Sequence, residues 1–392
     1  MQIKVFCPLL VWLAGACLMF GQGRRDQATI LIPDSSQEAV ADIGVRAHTN
    51  HLVLVRPQFT GTAPAGETPQ SIRSVYNLPS TGGSGVMAIV DAYDYPTAEN
   101  DLNVFSSQLG LPACTTANGC FSKVYATGVK PRSNCGWSQE AALDIEWAHA
   151  MAPSAKIVLV EAATNSFSNL FQAVQVATQQ IVKKGGLGEV SMSWGGSEFS
   201  SESSDDSYFV NNGIVYFAAS GDTGGTTIYP SASPNVVAAG GTSINRDSSG
   251  NFVSETGWSG SGGGPSKYEP RPGYQAGVAA IVGTQRGIPD FSFDADPNSG
   301  VSVYDSTSCQ GNSGWLVFGG TSVASPSLAG IVNLAGHVTL TSNSELELGT
   351  IYSNLGTAEF RDIVSGTAGS FSATSGWDFV TGVGSDQGTG GK

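Results

Sequence analysis

Four runs along the chain are apolar almost without interruption and close on small or polar residues: residues 85–94 (GVMAIVDAYD), 155–163 (AKIVLVEAA), 188–195 (GEVSMSWG) and 213–222 (GIVYFAASGD). A strand that is apolar at successive positions is buried on both faces. Between these runs lie segments with helical spacing, notably 138–151 and 168–184. Buried strands alternating with helices predict an α/β fold with a mostly parallel central sheet and helices on both faces. In such a sheet the functional residues gather outside the C-terminal strand ends, which points to Asp91, Trp194 and Asp222.

The first residues place Lys4 ahead of an apolar run from Val5 to Phe20. That run is shorter than the roughly 20 residues a membrane span requires, so it reads as a secretory signal over residues 1–22. Cys17 follows a small-residue cleavage pattern and leaves a lipid-modified form open. A polar extension with a linker-like GTAPAGETP is expected over residues 23–67, and the main domain over 68–392. The expected location is secreted or periplasmic, with no membrane span downstream and a monomeric state.

Composition narrows the partners. The 392 residues carry a formal net charge of −14, which supplies no positive field for nucleic acid or anionic lipid. Past the signal remain Cys114, Cys120, Cys135 and Cys309, an even count that favours disulfides in an exported protein. The short loop between Cys114 and Cys120 suggests their mutual bridge, leaving Cys135 with Cys309. The glycine-rich SGSGGGPSK lacks the ending of a phosphate loop and reads as an ordinary loop.

Candidate chemistry centres on FGGTSVASPSLAG, residues 318–330. Its glycines allow a tight turn, Ser322 follows, and a helix is expected to begin near Ser325-Pro326. A serine at a buried helix start gains from the positive end of the helix dipole and suits a nucleophile. Only His48, His51, His149 and His337 could supply an imidazole base. The first two fall in the extension. On the 138–151 helix, His149 lies roughly 180° from Glu140, whereas Asp144 lies about 40° from it. Glu140 and Asp144 therefore form a carboxylate pair able to share a proton. Asp222, in AASGDTGG, could donate to an oxyanion if protonated.

Taken in order, TPQSIRSVYNLP, EAALDIEWAHAMAPSAKI, SMSWGGSE, ASGDTGG, GWSGSGGGPSKYEPRPGYQ, GIPDFSFDADPNSGVSVYD and GGTSVASPSLAG make residues 68–384 resemble the sedolisin family, serine-carboxyl peptidases of subtilisin-like fold. The resemblance implies Ser322 as nucleophile, Glu140 as general base, Asp144 as supporting acid and Asp222 in the oxyanion hole. It also implies that Ser193, Trp194 and Gly195 pair with a peptide or unfolded-protein substrate as an added strand. The FRDIVSG…SATSGWDFVTG segment resembles the family's site for one structural Ca²⁺, with Asp362 and Asp378 giving carboxylates and Ile363, Thr374 and Gly376 giving carbonyls. The chain departs from the family pattern in having only about 45 residues between the signal and Thr68 where a long pro-domain is usual. Two other readings stand beside this one: a subtilisin-like Asp-His-Ser peptidase using Asp91, and a catalytically silent secreted peptide-binding homologue.

Overall fold

The structure is a computed structural model describing residues 28–56 and 61–392; the expected signal and Cys17 lie outside the described residues. The apolar runs become parallel strands, in the spatial order Phe121–Tyr125, Lys156–Ala162, Val86–Ala92, Gly188–Met192, Ile214–Ala219, Val237–Arg246, Phe291–Asp294 and Ser385–Asp386. Two antiparallel strands complete this sheet, Phe252–Gly257 against Val237–Arg246 and Phe360–Arg361 at the edge. The α/β class and the mostly parallel sheet are as the pattern predicts.

Successive strand residues point to opposite faces. Met87 and Ile89 accordingly join one core with Leu159, Phe217, Val323 and Leu328, while Ala88 and Val90 join a second with Val158, Val190 and Val174. The first core packs beneath the helices Cys135–Met151 and Thr321–Ala335, and the second beneath Phe167–Lys183. Apart from Cys135, every residue of the Cys135–Met151 helix is buried, which explains why it has no polar face.

Val86–Ala92 is flanked by Lys156–Ala162 on one side and Gly188–Met192 on the other, so the chain reverses its direction of travel across the sheet there. This switch point opens a crevice at the carboxyl ends of those strands. Above it stand the Cys135–Met151 and Thr321–Ala335 helices. They approach closely because Gly330 has no side chain: a Cβ there would lie 2.6 Å from Met151 Cβ.

Both expected disulfides are present, Cys114–Cys120 and Cys135–Cys309. The second ties the start of the Cys135–Met151 helix to the end of the Val301–Cys309 strand. Two local expectations need correction. The serine helix starts at Thr321, not near Pro326, because Gly320 at φ 99° makes the turn and Pro326 is accommodated inside the helix. The stretch read as a polar extension also contains strands: Thr29–Leu31 and Leu52–Val55 extend an antiparallel sheet with Asn312–Gly319, and His48–Thr49 pairs with Trp194–Gly195. Such pairing is set by distant partners, which a local hydrophobic pattern does not reveal.

Candidate active site

The Asn134 side chain accepts the Trp137 N–H at 3.2 Å and caps the Cys135–Met151 helix. One turn inside, Glu140 and Asp144 are fully buried on the same side, as their spacing requires. Asp91, at the end of the first parallel strand, is buried with them and has no hydrogen-bond partner for either oxygen. Burial pushes the Asp144 carboxyl well up, and the nearby charges of Asp91 and Glu140 push it further, against a hydrogen bond from Ser193. Asp91 is likewise raised well above the usual range by burial, then by Glu140 and Glu161. Asp91 and Asp144, both dry and both beside the charge of Glu140, therefore resist ionisation.

Ser193 links the acids to the helix that carries Ser322. Its Oγ donates to Asp144 Oδ1 at 2.7 Å and to the Ser322 carbonyl at 3.4 Å. That carbonyl is available because Pro326, four residues on, has no N–H to satisfy it. In return Ser322 Oγ donates to the Ser193 carbonyl at 3.1 Å. Asp144, Ser193 and Ser322 thus form one connected set.

Asp222 braces the same helix from the other side. Its Oδ1 accepts the Thr321 N–H at 2.7 Å and Thr321 Oγ1 at 2.9 Å, while Oδ2 is buried without a partner. Burial raises this carboxyl to about 8, against the two Thr321 hydrogen bonds and helped by the charge of Glu140. Below that pH Oδ2 can carry a proton and donate it.

Glu140 differs from expectation in one respect: it makes no hydrogen bond to Ser322. Its Oε2 instead lies 2.9 Å from His51 Nδ1 and accepts the Asn50 N–H at 3.2 Å. Asn50 and His51 belong to the stretch read as a polar extension and were not anticipated as site residues. The sequence carried a faint signal, two of only four histidines in a short His48-Thr49-Asn50-His51 run ahead of LVLV. Asn50 bridges the pair of catalytic candidates, since its carbonyl accepts the Ser322 N–H at 3.0 Å. Of the other histidines, His149 donates from Nε2 to the Pro112 carbonyl, 2.9 Å away, and burial lowers its pKa. An Asp-His-Ser triad through His149 is therefore not assembled.

Of the substrate-pairing candidates, Trp194 and Gly195 do pair with an extended segment, but it is the chain's own His48–Thr49. Trp194 is held by its indole N–H on the Val90 carbonyl at 2.8 Å. At the far end of the sheet, the Asp362 carboxylate accepts Ser375 Oγ at 3.0 Å and Gly376 N–H at 3.1 Å. Asp378 accepts the N–H groups of Thr374, Val380 and Thr381 at 2.8–2.9 Å. The two carboxylates bracket the 374–376 turn, and among the described residues neither forms an ion pair. An oxygen-only set with unneutralised acids fits a hard cation. Ile363 is buried beside this turn with Ala368, Ala373 and Val380.

No protein-family model matches the chain. Kumamolisin from Bacillus sp. (strain MN-32) is 31% identical over 367 residues, covering 82% of this chain and 62% of that protein. Sedolisin from Pseudomonas sp. (strain 101) is 27% identical over 370 residues, covering 83% of this chain and 60% of that protein. The chain thus spans about three fifths of the length of these curated relatives. Among solved structures, Pseudomonas sedolisin, a serine-carboxyl proteinase complexed with two molecules of pseudo-iodotyrostatin, matches with a TM-score of 0.70 and 25% identity over 83% of this chain and 96% of that one. A psychrophilic protease, S41, and sphericase match at TM-scores of 0.53 and 0.52 with 20% and 22% identity, each over 83% of this chain and 99% of its own, and share the fold alone. With the ordered motifs, the subtilisin-like sheet and these relatives in agreement, the chain is similar to the sedolisin family over more than four fifths of its length.

Proposed function

We propose that the chain is an exported serine-carboxyl endopeptidase that works in acid, with Ser322 as nucleophile, Glu140 and Asp144 moving the proton, and Asp222 bracing the oxyanion. The observation that carries this reading is the position of a peptide carbonyl, that of Asn50, on the Ser322 N–H beside the partnerless Asp222 Oδ2. A substrate carbonyl placed there would meet two donors, one from the helix start and one from a protonated acid. Ser322 Oγ then turns from the Ser193 carbonyl to attack the carbonyl carbon, and its proton passes to Glu140. Asp144, which shares charge with Glu140 and is tuned by Ser193, steadies that transfer. The proton goes on to the leaving amine, and water hydrolyses the acyl-serine by the same route. Substrate backbone would run along Ser193, Trp194 and Gly195 as an added strand.

Export is supported by the two disulfides and by the apolar start of the sequence; among the described residues no helix is long and apolar enough to cross a membrane. Peptide or unfolded-protein substrates and a monomeric state complete the reading. Asp362 and Asp378, with the carbonyls of Ile363, Thr374 and Gly376, would hold one Ca²⁺, whose charge would tie the 374–378 turn to residue 362 and take no part in the chemistry.

Purified protein incubated with a denatured protein from about pH 3 to pH 7 tests the proposal. Fragments that vanish in Ser322→Ala support it; a complete lack of fragments across the range leaves the silent peptide-binding homologue. A second reading is favoured by one contact, His51 Nδ1 on Glu140, which would let His51 serve as the base. His51→Ala separates the two, because loss of all hydrolysis is expected only if the imidazole moves the proton.

A further inference from the structure

We propose that Cys114, Cys120 and His149 become, when their disulfide is reduced, a binding site for one thiophilic divalent cation of the zinc class, so that this corner of the fold carries either a crosslink or an ion. The two sulfurs and a ring nitrogen of His149 all lie within 4.8 Å of one another. His149 is nine residues beyond Glu140 on the same helix, about 13 Å along its axis, and the inference stands whether or not the chain is a peptidase.

The histidine is prepared as a ligand. It is wholly buried in the last turn of the Cys135–Met151 helix. Its Nε2 donates to the Pro112 carbonyl at 2.9 Å, so the neutral ring keeps its proton there and its lone pair on Nδ1. Nδ1 is buried without a hydrogen-bond partner. Metal-bound histidines are commonly held in this way, with one nitrogen fastened to a carbonyl and the other left to the ion. Burial favours the neutral ring, and the charge of Arg73 acts the same way against the Pro112 hydrogen bond.

The cysteines are placed by more than their own bond. Asn118 Oδ1 accepts the N–H groups of Thr115 at 3.1 Å and Cys120 at 3.0 Å, and its Nδ2 donates to the Ala113 carbonyl at 2.8 Å. The Thr116 N–H donates to Glu99 Oε1 at 2.7 Å, and the Cys120 carbonyl accepts the Ile157 N–H at 2.8 Å. A bridge across so short a loop constrains little of the unfolded chain, so the fold outlives its reduction. Freed of the bond, the sulfurs need only part to roughly 3.8 Å, the edge of a tetrahedron with metal–sulfur distances of about 2.3 Å. Cys114 is buried and Cys120 half-buried. An open groove of about 890 Å³, lined by Arg73, Leu111, Pro112 and Pro153, runs beside Pro112 and gives reductant and ion a way in.

The ligand set selects the ion. Two thiolates and an imidazole are soft and borderline donors, which suit zinc and its neighbours rather than calcium or magnesium. Two negative sulfurs also neutralise a dication, so the loaded site has no net charge to bury. Reduction takes two electrons and two protons from a dithiol, which leaves as its own disulfide. Binding then releases the two thiol protons as the sulfurs bond to the ion, with water completing the tetrahedron.

The test uses Co²⁺ as a coloured stand-in. The full chain is reduced with a dithiol, freed of it without oxygen, and titrated with Co²⁺ near neutral pH, with Ca²⁺ present to occupy the 374–378 turn. Thiolate-to-cobalt absorption saturating at one ion per chain and abolished by Zn²⁺ is the expected result, with none in the oxidised chain. Cys114→Ser should lose the absorption, and His149→Ala should weaken binding about tenfold or more. No absorption in the reduced wild type overturns the inference, as does a reduced chain whose melting curve shows that it has lost its fold. Absorption unchanged in Cys114→Ser, which would put the ion on Cys135 and Cys309, or affinity unchanged in His149→Ala overturns it too. Should a variant fold poorly, the wild type decides: Zn²⁺ should raise the Tm of the reduced chain and leave that of the oxidised chain where it was, and equal melting of the reduced chain with and without Zn²⁺ overturns the assignment.

Discussion

Ser193 Oγ donates to Asp144 Oδ1 at 2.7 Å, and through this one hydroxyl the buried acid pair is joined to the helix that carries Ser322. The hydrogen bond favours the ionised form of Asp144 against burial and two neighbouring acids. Ser193→Ala should therefore raise the Asp144 pKa further and move the acid limb of the kcat/KM profile to higher pH. A charge-assisted hydrogen bond is worth about 1.5–3 kcal/mol, so a loss of about tenfold or more in kcat/KM is expected with only a modest fall in Tm. An unmoved profile would remove Ser193 from proton control.

Asp222 is expected to work only as an acid, and burial keeps it protonated up to about pH 8. Asp222→Asn replaces the proton-bearing oxygen with an amide that donates at any pH, while the other oxygen can still accept from Thr321. Activity of this variant should persist further towards alkaline pH than the wild type. Asp222→Ala should cost roughly 3 kcal/mol of transition-state stabilisation, about a hundredfold in kcat. A pH–rate profile identical for wild type and Asp222→Asn would count against the oxyanion role.

Stability should also favour acid. Burial raises Glu189 to about 8, Glu202 to about 9 and Glu269 to about 8. Because these carboxyls are raised above their unfolded values, the stability they bring is fully present below about pH 4.5 and is lost as pH climbs through 8–9. Glu189 is the cleanest probe, being wholly buried with Asn333 Nδ2 donating to it at 2.7 Å. Glu189→Gln should leave Tm near pH 4.5 almost unchanged and raise stability at pH 8 or above by roughly 2 kcal/mol. Thermal melts across that range check the slope and its sign.

Chelation should lower the Tm if Asp362 and Asp378 hold a cation, since an ion that binds only the folded chain stabilises it by mass action. Asp378→Asn should be less stable than wild type and insensitive to chelator. Equal melting of the wild type with and without chelator would remove the ion from the proposal.

Much of the scaffold was legible because its signals are local. Continuous apolar runs marked the buried parallel strands, and the i to i+4 spacing of Glu140 and Asp144 put them on one side of a helix whose every turn is apolar. The Cys135–Cys309 pairing followed from counting once the short Cys114–Cys120 loop was set aside. The start of the serine helix was misplaced because Pro326 looks like a helix opening, whereas the Gly320 turn had already begun it.

By itself the sequence determined the sheet, the two-sided core, the cysteine pairing and which acids share a helix, because each depends on residues near one another in the chain or on simple counting. Only the tertiary structure decided that Asn50 and His51 lie between Glu140 and Ser322, that Asp222 has one oxygen fastened and one open, and that Asp91 joins the acid group. Those relationships arise from strand pairing across long stretches of chain and from desolvation inside a closed crevice, and neither leaves a periodic trace in the order of residues.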